Sequence, residues 1–488
     1  MPNSVLMLRI AALVLYICVC SGTYAQVTFQ RDHGSPTKGE SGYSVVQSPD
    51  GGYYVAGGIG VSGSYAAGCL LRTNALGDTL WWREYNATGS SDVGFNHLMR
   101  ASTGKFLLTG VVNYGLVGGF SDYDAYLVLV DTTGGQLWGT AVGGPFKHWG
   151  YQSRETLDGG YICAGWGQAI PGPESDFYVV RLNALGDTLW TRSYGTPNDP
   201  QTAYAIEGFT DSTWVVVGKT KPSLSVDHIH AVRINDQGDT LWTRTITALG
   251  NCFAEDVETL PNDHAVIAGY SFPGFGCAKP LLLELDENGD MLWFQNYDHG
   301  VCEWTQDMCK TTTGYALFGF DSDEVLWLTN VDPQGDSLWS RSFSVGSLDN
   351  RGYSVEQTSD GGFVMTGLAV FPGNGGADYQ IFLIKTDAAG NVITSTEDLE
   401  LDPSVTATVF PNPTNAAATF QYTTLHAGRF SLRLHDGQGR VVRSLFESEH
   451  RGPGQYAEEV DLSGLARGSY TLVLSNGTRA ASVKVIKN

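Results

Sequence analysis

Tyr43-Ser44-Val45-Val46-Gln47, Ser48-Pro49-Asp50-Gly51-Gly52, Tyr53-Tyr54-Val55-Ala56-Gly57, then Leu70-Leu71-Arg72-Thr73-Asn74, Leu76-Gly77-Asp78 and Thr79-Leu80-Trp81-Trp82-Arg83 read as four short β-type runs separated by turn residues. The unit recurs along the chain at a spacing of roughly 50 residues. The turn before the fourth run carries Gly77, Gly134, Gly186, Gly238, Gly289, Gly335 and Gly390. The Trp that follows recurs as Trp81, Trp138, Trp190, Trp242, Trp293 and Trp339. The second run ends in Gly57, Gly110, Gly165, Gly218, Gly269, Gly319 and Gly367.

Four strands per unit and seven units predict an all-β chain folded as a seven-bladed β-propeller over 26–394. The seventh unit stops at Gly390-Asn391-Val392-Ile393 with no Trp, while an orphan run, Val27-Thr28-Phe29-Gln30-Arg31, precedes the first. Phe29 stands there in the Trp place. Pairing this N-terminal strand into the last blade, beside 381–386, would remove an open sheet edge. Six or eight blades, or an open β array, are the alternatives.

Composition agrees. The chain of 488 residues is 42% hydrophobic and 16% charged, which excludes a disordered chain. It carries 61 Gly, 12 Trp, 23 Tyr and 21 Phe, the makeup of many turns and short strands. Lys+Arg is 29 against Asp+Glu 51, a formal charge of −22, so nucleic acid is a poor partner. Arg9, the apolar stretch Ile10 to Cys20 and the small residues before Gln26 read as a secretory signal peptide over 1–25, cleaved after Ala25. No later apolar run has the length of a membrane helix, so none is expected in the mature chain.

Strand alternation places the B–C and D–A connections of each unit on one face. These are the long ones: Val111 to Tyr123, Trp166 to Ser175 and Leu368 to Ala377. Loops held by a rigid frame carry function more often than the frame itself. Residues that break the repeat are the informative ones there. Trp149 and Trp166 flank one strand pair, with His148 beside them and Trp304 at the same level three units on. Such aromatics stack on sugar rings or anchor a protein, or else simply pack between loops. Recurrent acids at the start of the third strand, Asp124, Asp176, Asp227 and Asp378, read as fold grammar. An acid pair such as Glu174 and Asp176 would serve a glycoside hydrolase.

His228 and His230 share one side of a strand, but no third ligand is in view, and the residues imply no metal or cofactor. Ser/His/Asp signatures and phosphate loops are missing, so no catalytic residue is named. Of six mature cysteines, Cys252 and Cys277 are the expected disulfide, with Cys302 the rival partner; Cys69 and Cys163 read as buried thiols.

Composition shifts after the acidic linker 395–402. Residues 403–488 carry 9 Lys+Arg and 6 Asp+Glu, a net of +3, whereas the remainder has 20 − 45 = −25. Seven short strand-like runs in this tail predict a small Ig-like β-sandwich. Phe410-Pro411-Asn412-Pro413-Thr414, Leu434-His435-Asp436-Gly437-Gln438-Gly439-Arg440-Val441-Val442, and Asp461-Leu462-Ser463-Gly464-Leu465-Ala466-Arg467-Gly468-Ser469-Tyr470 resemble the motifs of the type A C-terminal sorting domain of the Bacteroidetes type IX secretion system. Pro411, Asn412, Pro413, Gly439, Gly468 and Tyr470 carry the match, and the extra Asn488 after the terminal Lys departs from it.

The resemblance implies export by the type IX machinery through 403–488, ending secreted or attached to the outer surface. The upstream units also look like the "DGGYxxxG…GDxxW" repeats of Bacteroidetes surface proteins, a match that brings no activity. Asp-Thr-Leu at 78–80, 187–189 and 239–241, with Asp336-Ser337-Leu338, is similar to the Asp-Ser/Thr-aliphatic site of Bacteroidetes O-glycosylation. The expected function is a non-enzymatic module binding a glycan or an envelope protein. A secreted hydrolase and a purely structural surface protein are the alternatives.

Overall fold

The computed structural model describes residues 27–392 and 400–488, apart from 36–37, 61–65, 118–119, 145, 169–174, 197, 223–225, 299, 347, 374–375, 402–405, 426, 436–440 and 476–478. The segment read as a signal peptide and most of the acidic linker lie outside the described residues, as do Glu174 and Gly439. Two compact units divide the chain near residue 405.

The larger unit is built of four-stranded antiparallel sheets that follow one another in sequence; its one helical element among the described residues is a 3-10 turn, Pro273–Phe275. Among the described residues, sheets 1 to 6 cover 40–85, 92–142, 148–194, 201–246, 252–296 and 303–343. Sheet 7 takes three strands from 349–385 and its fourth from Phe29–His33. That fourth strand pairs Phe29 with Lys385, Arg31 with Leu383 and His33 with Ile381. The first strand of each sheet packs on the first strand of the next, and that of sheet 7 packs on that of sheet 1.

Side chains at one register of the first strands latch these contacts. His97 Nδ1 accepts from Ser153 N, Gln152 Oε1 from Ile206 N, Asp256 Oδ2 from Met308 N, Asp307 Oδ2 from Val355 N, and Ser354 Oγ from Val45 N. Ser44 Oγ donates to Leu98 O across the boundary of sheets 1 and 2. Ala205 holds this register in sheet 4 and has no polar atom to offer. Each latch satisfies a buried donor or acceptor that would otherwise cost about 1–3 kcal/mol.

The recurrent Trp and the recurrent turn Gly meet across the same boundaries. The turn opens on an Asn or Asp whose side chain accepts two backbone N–H groups; Asn183 Oδ1 takes those of Leu185 and Asp187. Gly186 follows at φ 85°, a conformation costly for any residue with a Cβ. A methyl there would also lie 2.7 Å from the Trp138 ring of the preceding sheet. Trp81 covers Gly134, Trp190 covers Gly238, Trp242 covers Gly289, Trp293 covers Gly335 and Trp339 covers Gly390 in the same way. Phe29 covers Gly77, so the N-terminal strand takes the Trp place in packing as well as in sequence.

The Asp-Gly-Gly turns have a second partner. Asp50, Asp158 and Asp360 pair with Arg72, Arg181 and Lys385, cations almost wholly buried on the third strands. Removing the carboxylate of such a pair would leave a buried cation without its counter-ion, whereas removing the cation would leave a carboxylate that is partly exposed to water.

Two connections expected as loops are strands. Phe106–Val117 pairs with Phe120–Val130, and Phe363–Gly373 with Gly376–Lys385, nearly to the hairpin tips. Aromatic and β-branched residues such as Val111, Val112, Tyr123, Val370 and Tyr379 continue the ladder there.

The smaller unit has strands Thr406–Phe410, Ala417–Thr424 and Gly454–Asp461 in one sheet, and Gly428–His435, Val441–Arg451, Gly468–Ser475 and Arg479–Lys487 in another. Phe420, Leu432, Leu434, Val460, Leu472 and Val485 form its core. Asn412 Nδ2 donates to Lys484 O and its Oδ1 accepts from Ile486 N, tying the opening motif to the last strand. The Phe410–Pro411 and Asn412–Pro413 peptides are cis. Tyr470 is buried and donates its hydroxyl to Ala466 O.

Candidate functional site

Every first strand carries a β-bulge at the same place. The extra residues are Tyr43, Asn96, Tyr151, Tyr204, Glu255, Gln306 and Tyr353. A bulge re-aims its side chain out of the ladder, and here the side chains converge. Tyr43 packs on Tyr353 in a tilted pair at 4.7 Å between ring centroids, and Tyr151 meets Tyr204 edge-on at 5.2 Å. Glu255 of sheet 5 lies near enough to Tyr151 of sheet 3 to hold its phenol up, after burial itself, at about 12. Tyr43 of sheet 1 acts on the same phenol, so residues of non-adjacent sheets share one space.

Two residues earlier, toward the long connections, the first and second strands oppose one another as Ser41/Gly58, Gly94/Val111, Trp149/Trp166, Thr202/Lys219, Phe253/Tyr270, Trp304/Phe320 and Arg351/Leu368 in sheets 1 to 7. Small side chains occupy sheets 1 and 2. Aromatic pairs occupy sheets 3, 5 and 6. Trp149 and Trp166 stack at 6.0 Å and 15°, Phe253 and Tyr270 at 4.7 Å and 18°, and Trp304 lies 5.6 Å from Phe320. All six rings are half-buried. Tyr123 adds a ring 5.7 Å from Trp149, and Phe272 one 5.9 Å from Tyr270.

The structure thus brings Trp149 and Trp166 together and leaves Trp304 in a separate pair. His148 does not join them. It is buried, its Nδ1 lies 3.2 Å from Phe146 O, and its ring packs on Tyr178 at 4.7 Å. Residues that alternate along a strand face opposite sides, so the neighbour of Trp149 is turned away from it. Sequence reasoning missed Phe253/Tyr270. Aligning the units on the glycine that closes the second run would have found the pair, because Trp166, Tyr270 and Phe320 each follow that glycine directly.

The disulfide is Cys277–Cys302, not Cys252–Cys277. Cys252 is the first residue of its strand, opposite Ser271, a register held in the next sheet by Glu303 and not by Cys302. One residue of offset turns a side chain to the other side. Cys252 therefore faces inward as a buried thiol accepting from Ile229 N at 3.4 Å. Cys69 and Cys163 are also buried free thiols. His228 and His230 spend their Nδ1 atoms on Gly250 O and Thr245 Oγ1, and no cluster able to hold a metal occurs among the described residues.

Electrostatics differ between the two ends of the first strands. Beside the aromatic pairs, Lys219 lies 3.6 Å from Asp227 and 4.8 Å over the Phe253 ring. Glu255 makes no hydrogen bond or ion pair among the described residues, and burial raises its carboxyl to about 8. Toward the short turns, Asp256 and Asp307 share a buried site; burial raises both, and Gln152 donates to Asp256 at 2.9 Å. On that side a pocket of about 310 Å³ opens between sheets 3 and 4, lined by Arg154, Arg181, Glu207, Phe209 and Trp214 among others. Its cations are already spent: Arg154 pairs with Glu207 at 2.5 Å and Arg181 with Asp158 at 2.7 Å.

Residues 408–488 match the family described as a secretion system C-terminal sorting domain. Such a domain hands a chain to the type IX secretion machinery, and the protein is secreted or attached to the outer surface. No helix among the described residues is long and apolar enough to cross a membrane. No curated protein matches the chain. Among solved structures, it is similar to a Dyadobacter fermentans protein of unknown function at 10% identity and TM-score 0.42, covering 73% of this chain and 99% of that one. It is similar to PorZ, a surface component of the type IX secretion system of Porphyromonas gingivalis, at 12% and 0.37 over 90% and 69%. An ulvan lyase of family PL25 gives 12% and 0.44 over 74% and 97%. Scores this low carry neither fold nor activity to the present chain.

Proposed function

We propose that the seven sheets form a closed seven-bladed β-propeller, exported from a Bacteroidetes cell after removal of residues 1–25 and steered outward by a type A sorting domain, and that the propeller is a glycan-binding module. The binding surface is the mouth on the side of the long connections, where Trp149/Trp166, Phe253/Tyr270 and Trp304/Phe320 stand at one register. Those three half-buried pairs are the observation that carries the reading. Aromatic faces give sugars an apolar platform for their C–H faces. The small residues opposite, Ser41/Gly58 and Gly94/Val111, leave room for a chain to lie across. Scattered surface aromatics need no explanation, but repeat-breaking ones at one register do.

A glycan array probed with the mature chain tests the proposal. Binding to an extended saccharide is expected. It should weaken about tenfold in Trp149→Ala/Trp166→Ala and in Phe253→Ala/Tyr270→Ala, a loss of about 1.4 kcal/mol. Binding that both double variants leave unchanged would remove the mouth from the account.

A further inference from the structure

Two of the three aromatic pairs sit in adjacent sheets, and a covalent bond crosses the boundary between them. The second strand of sheet 5, which carries Tyr270, packs on the first strand of sheet 6, which carries Trp304. Cys277 lies on the connection between the second and third strands of sheet 5, and Cys302 directly precedes the first strand of sheet 6. Phe272, whose ring meets both Phe253 and Tyr270 edge-on, stands on the same connection as Cys277.

The bond reinforces a contact that other boundaries make without one. In sheets 4, 5 and 6 the first residue of the first strand donates its N–H to the residue just before the third strand of the preceding sheet. The bonds are Gln201 N to Ser175 O at 2.6 Å, Cys252 N to Asp227 O at 3.0 Å and Glu303 N to Ala278 O at 2.9 Å. The disulfide joins the residues next to the last of these, 277 and 302, with Cα atoms 4.6 Å apart, and it is the only disulfide among the described residues. The connection it holds has little else to anchor it. Pro273, Gly274 and Gly276 are exposed, and Gly274 adopts φ 61°. Segments with few buried contacts open locally at small free-energy cost. At the other end Cys302 O accepts from Ser322 N at 2.8 Å, just beyond the strand that carries Phe320. The disulfide thus ties the connection bearing Phe272 to the strand pair bearing Trp304 and Phe320.

We propose that Cys277–Cys302 is a positioning element of the mouth: it holds Phe253/Tyr270/Phe272 and Trp304/Phe320 at a set spacing, so that one extended saccharide chain rests on both at once. This rests on the glycan reading above and adds the length of the ligand. A platform held in place needs no ordering on binding, and the second platform meets a chain already tethered by the first. A ligand short enough to rest on one platform gains nothing from the spacing.

The probe is the saccharide that the glycan array returns, cut to two and to six units, on the full mature chain and on Cys277→Ser/Cys302→Ser. The six-unit chain should bind the wild type at least about tenfold tighter than the two-unit one. The double variant should lose that step while binding two units as before, which also shows that it is folded. Hydrogen exchange in it should quicken over 271–279 and 302–304 and stay unchanged at Trp149 and Trp166. Gly186→Ala, which strikes the Trp138 ring at the boundary of sheets 2 and 3, should lower stability yet keep the length step, separating spacing from stability. A length step that survives in the double variant, unchanged exchange over 271–279, or equal binding of both lengths by the wild type would overturn the positioning role and leave the glycan reading standing. Loss of two-unit binding in the double variant would make the bond a general support of the fold and overturn its role as a spacer. An array on which no saccharide binds would overturn both readings.

Discussion

A methyl group on Gly77 tests the seam between the N-terminal strand and sheet 1. Gly77 has φ 82°, and a Cβ there would lie 2.5 Å from the Phe29 ring. Gly77→Ala therefore adds two costs, about 1–2 kcal/mol for the left-handed backbone and about 1–3 kcal/mol for overpacking. Gly51→Ala is the control: φ is 85°, but the nearest neighbour of a Cβ is Ala75 Cβ at 3.5 Å, so the backbone cost stands alone. Phe29 is buried and meets Tyr53 edge-on at 5.8 Å; Phe29→Ala should cost about 3–5 kcal/mol. In that background Gly77→Ala should fall to the Gly51→Ala value, because the ring it struck is gone. The cycle then gives a coupling of about 1–3 kcal/mol. Urea unfolding followed by Trp fluorescence is the assay, since no Trp lies after Trp339 and the signal excludes the smaller unit. Equal costs for Gly77→Ala and Gly51→Ala, or full additivity in the cycle, would refute the seam.

Cys277→Ser should lower stability by about 3.5 kcal/mol, the loop-closure value for a bridge across a sequence separation of 25, while Cys252→Ser leaves the disulfide intact; non-reducing peptide mapping distinguishes the two. Burial raises Glu255 to about 8 and Glu258 and Glu356 to about 7, so the folded chain keeps protons that the unfolded chain releases above about pH 4. The stability these groups confer is full below that pH and is lost as pH rises toward 8. Urea midpoints should fall from pH 5 to 8, and Glu356→Gln should flatten part of the slope; midpoints that climb throughout would contradict the assignment. Below about pH 4 the acids held low by cations act in reverse, Asp158 at about 2 beside Thr156 and Arg181 being one. Deleting residues 408–488 should hold the chain in the periplasm, read by fractionation; export unchanged by the deletion would deny the tail its role.

The repeat was legible because its glycines and tryptophans answer to hard constraints. A positive φ and an indole lying on bare backbone leave few substitutes, so these positions recur visibly. Phe29 could be placed because it copies the Trp position. The reason for the glycine was not legible, since half of it comes from the preceding sheet. Side-chain direction was harder. His148 and Cys252 were each set among their neighbours by closeness in sequence, and a single residue of alternation put them on the other side. The bulges that deliver Glu255 and the four tyrosines leave no mark in one sequence, because a bulge is a count of residues against a partner strand. Long hairpins such as 106–130 were read as loops because Gly and Asn interrupt them, although their other residues favour a ladder.

Six of the seven sheets are assembled from neighbours in the chain, and one joins residue 29 to residue 385. Local hairpins form early; a contact across that many residues waits for the rest of the chain. Until the third strand of sheet 7 is made, its outer edge stays bare and sticky. A chain cut short anywhere before residue 381 leaves Phe29–His33 without the strand it pairs with.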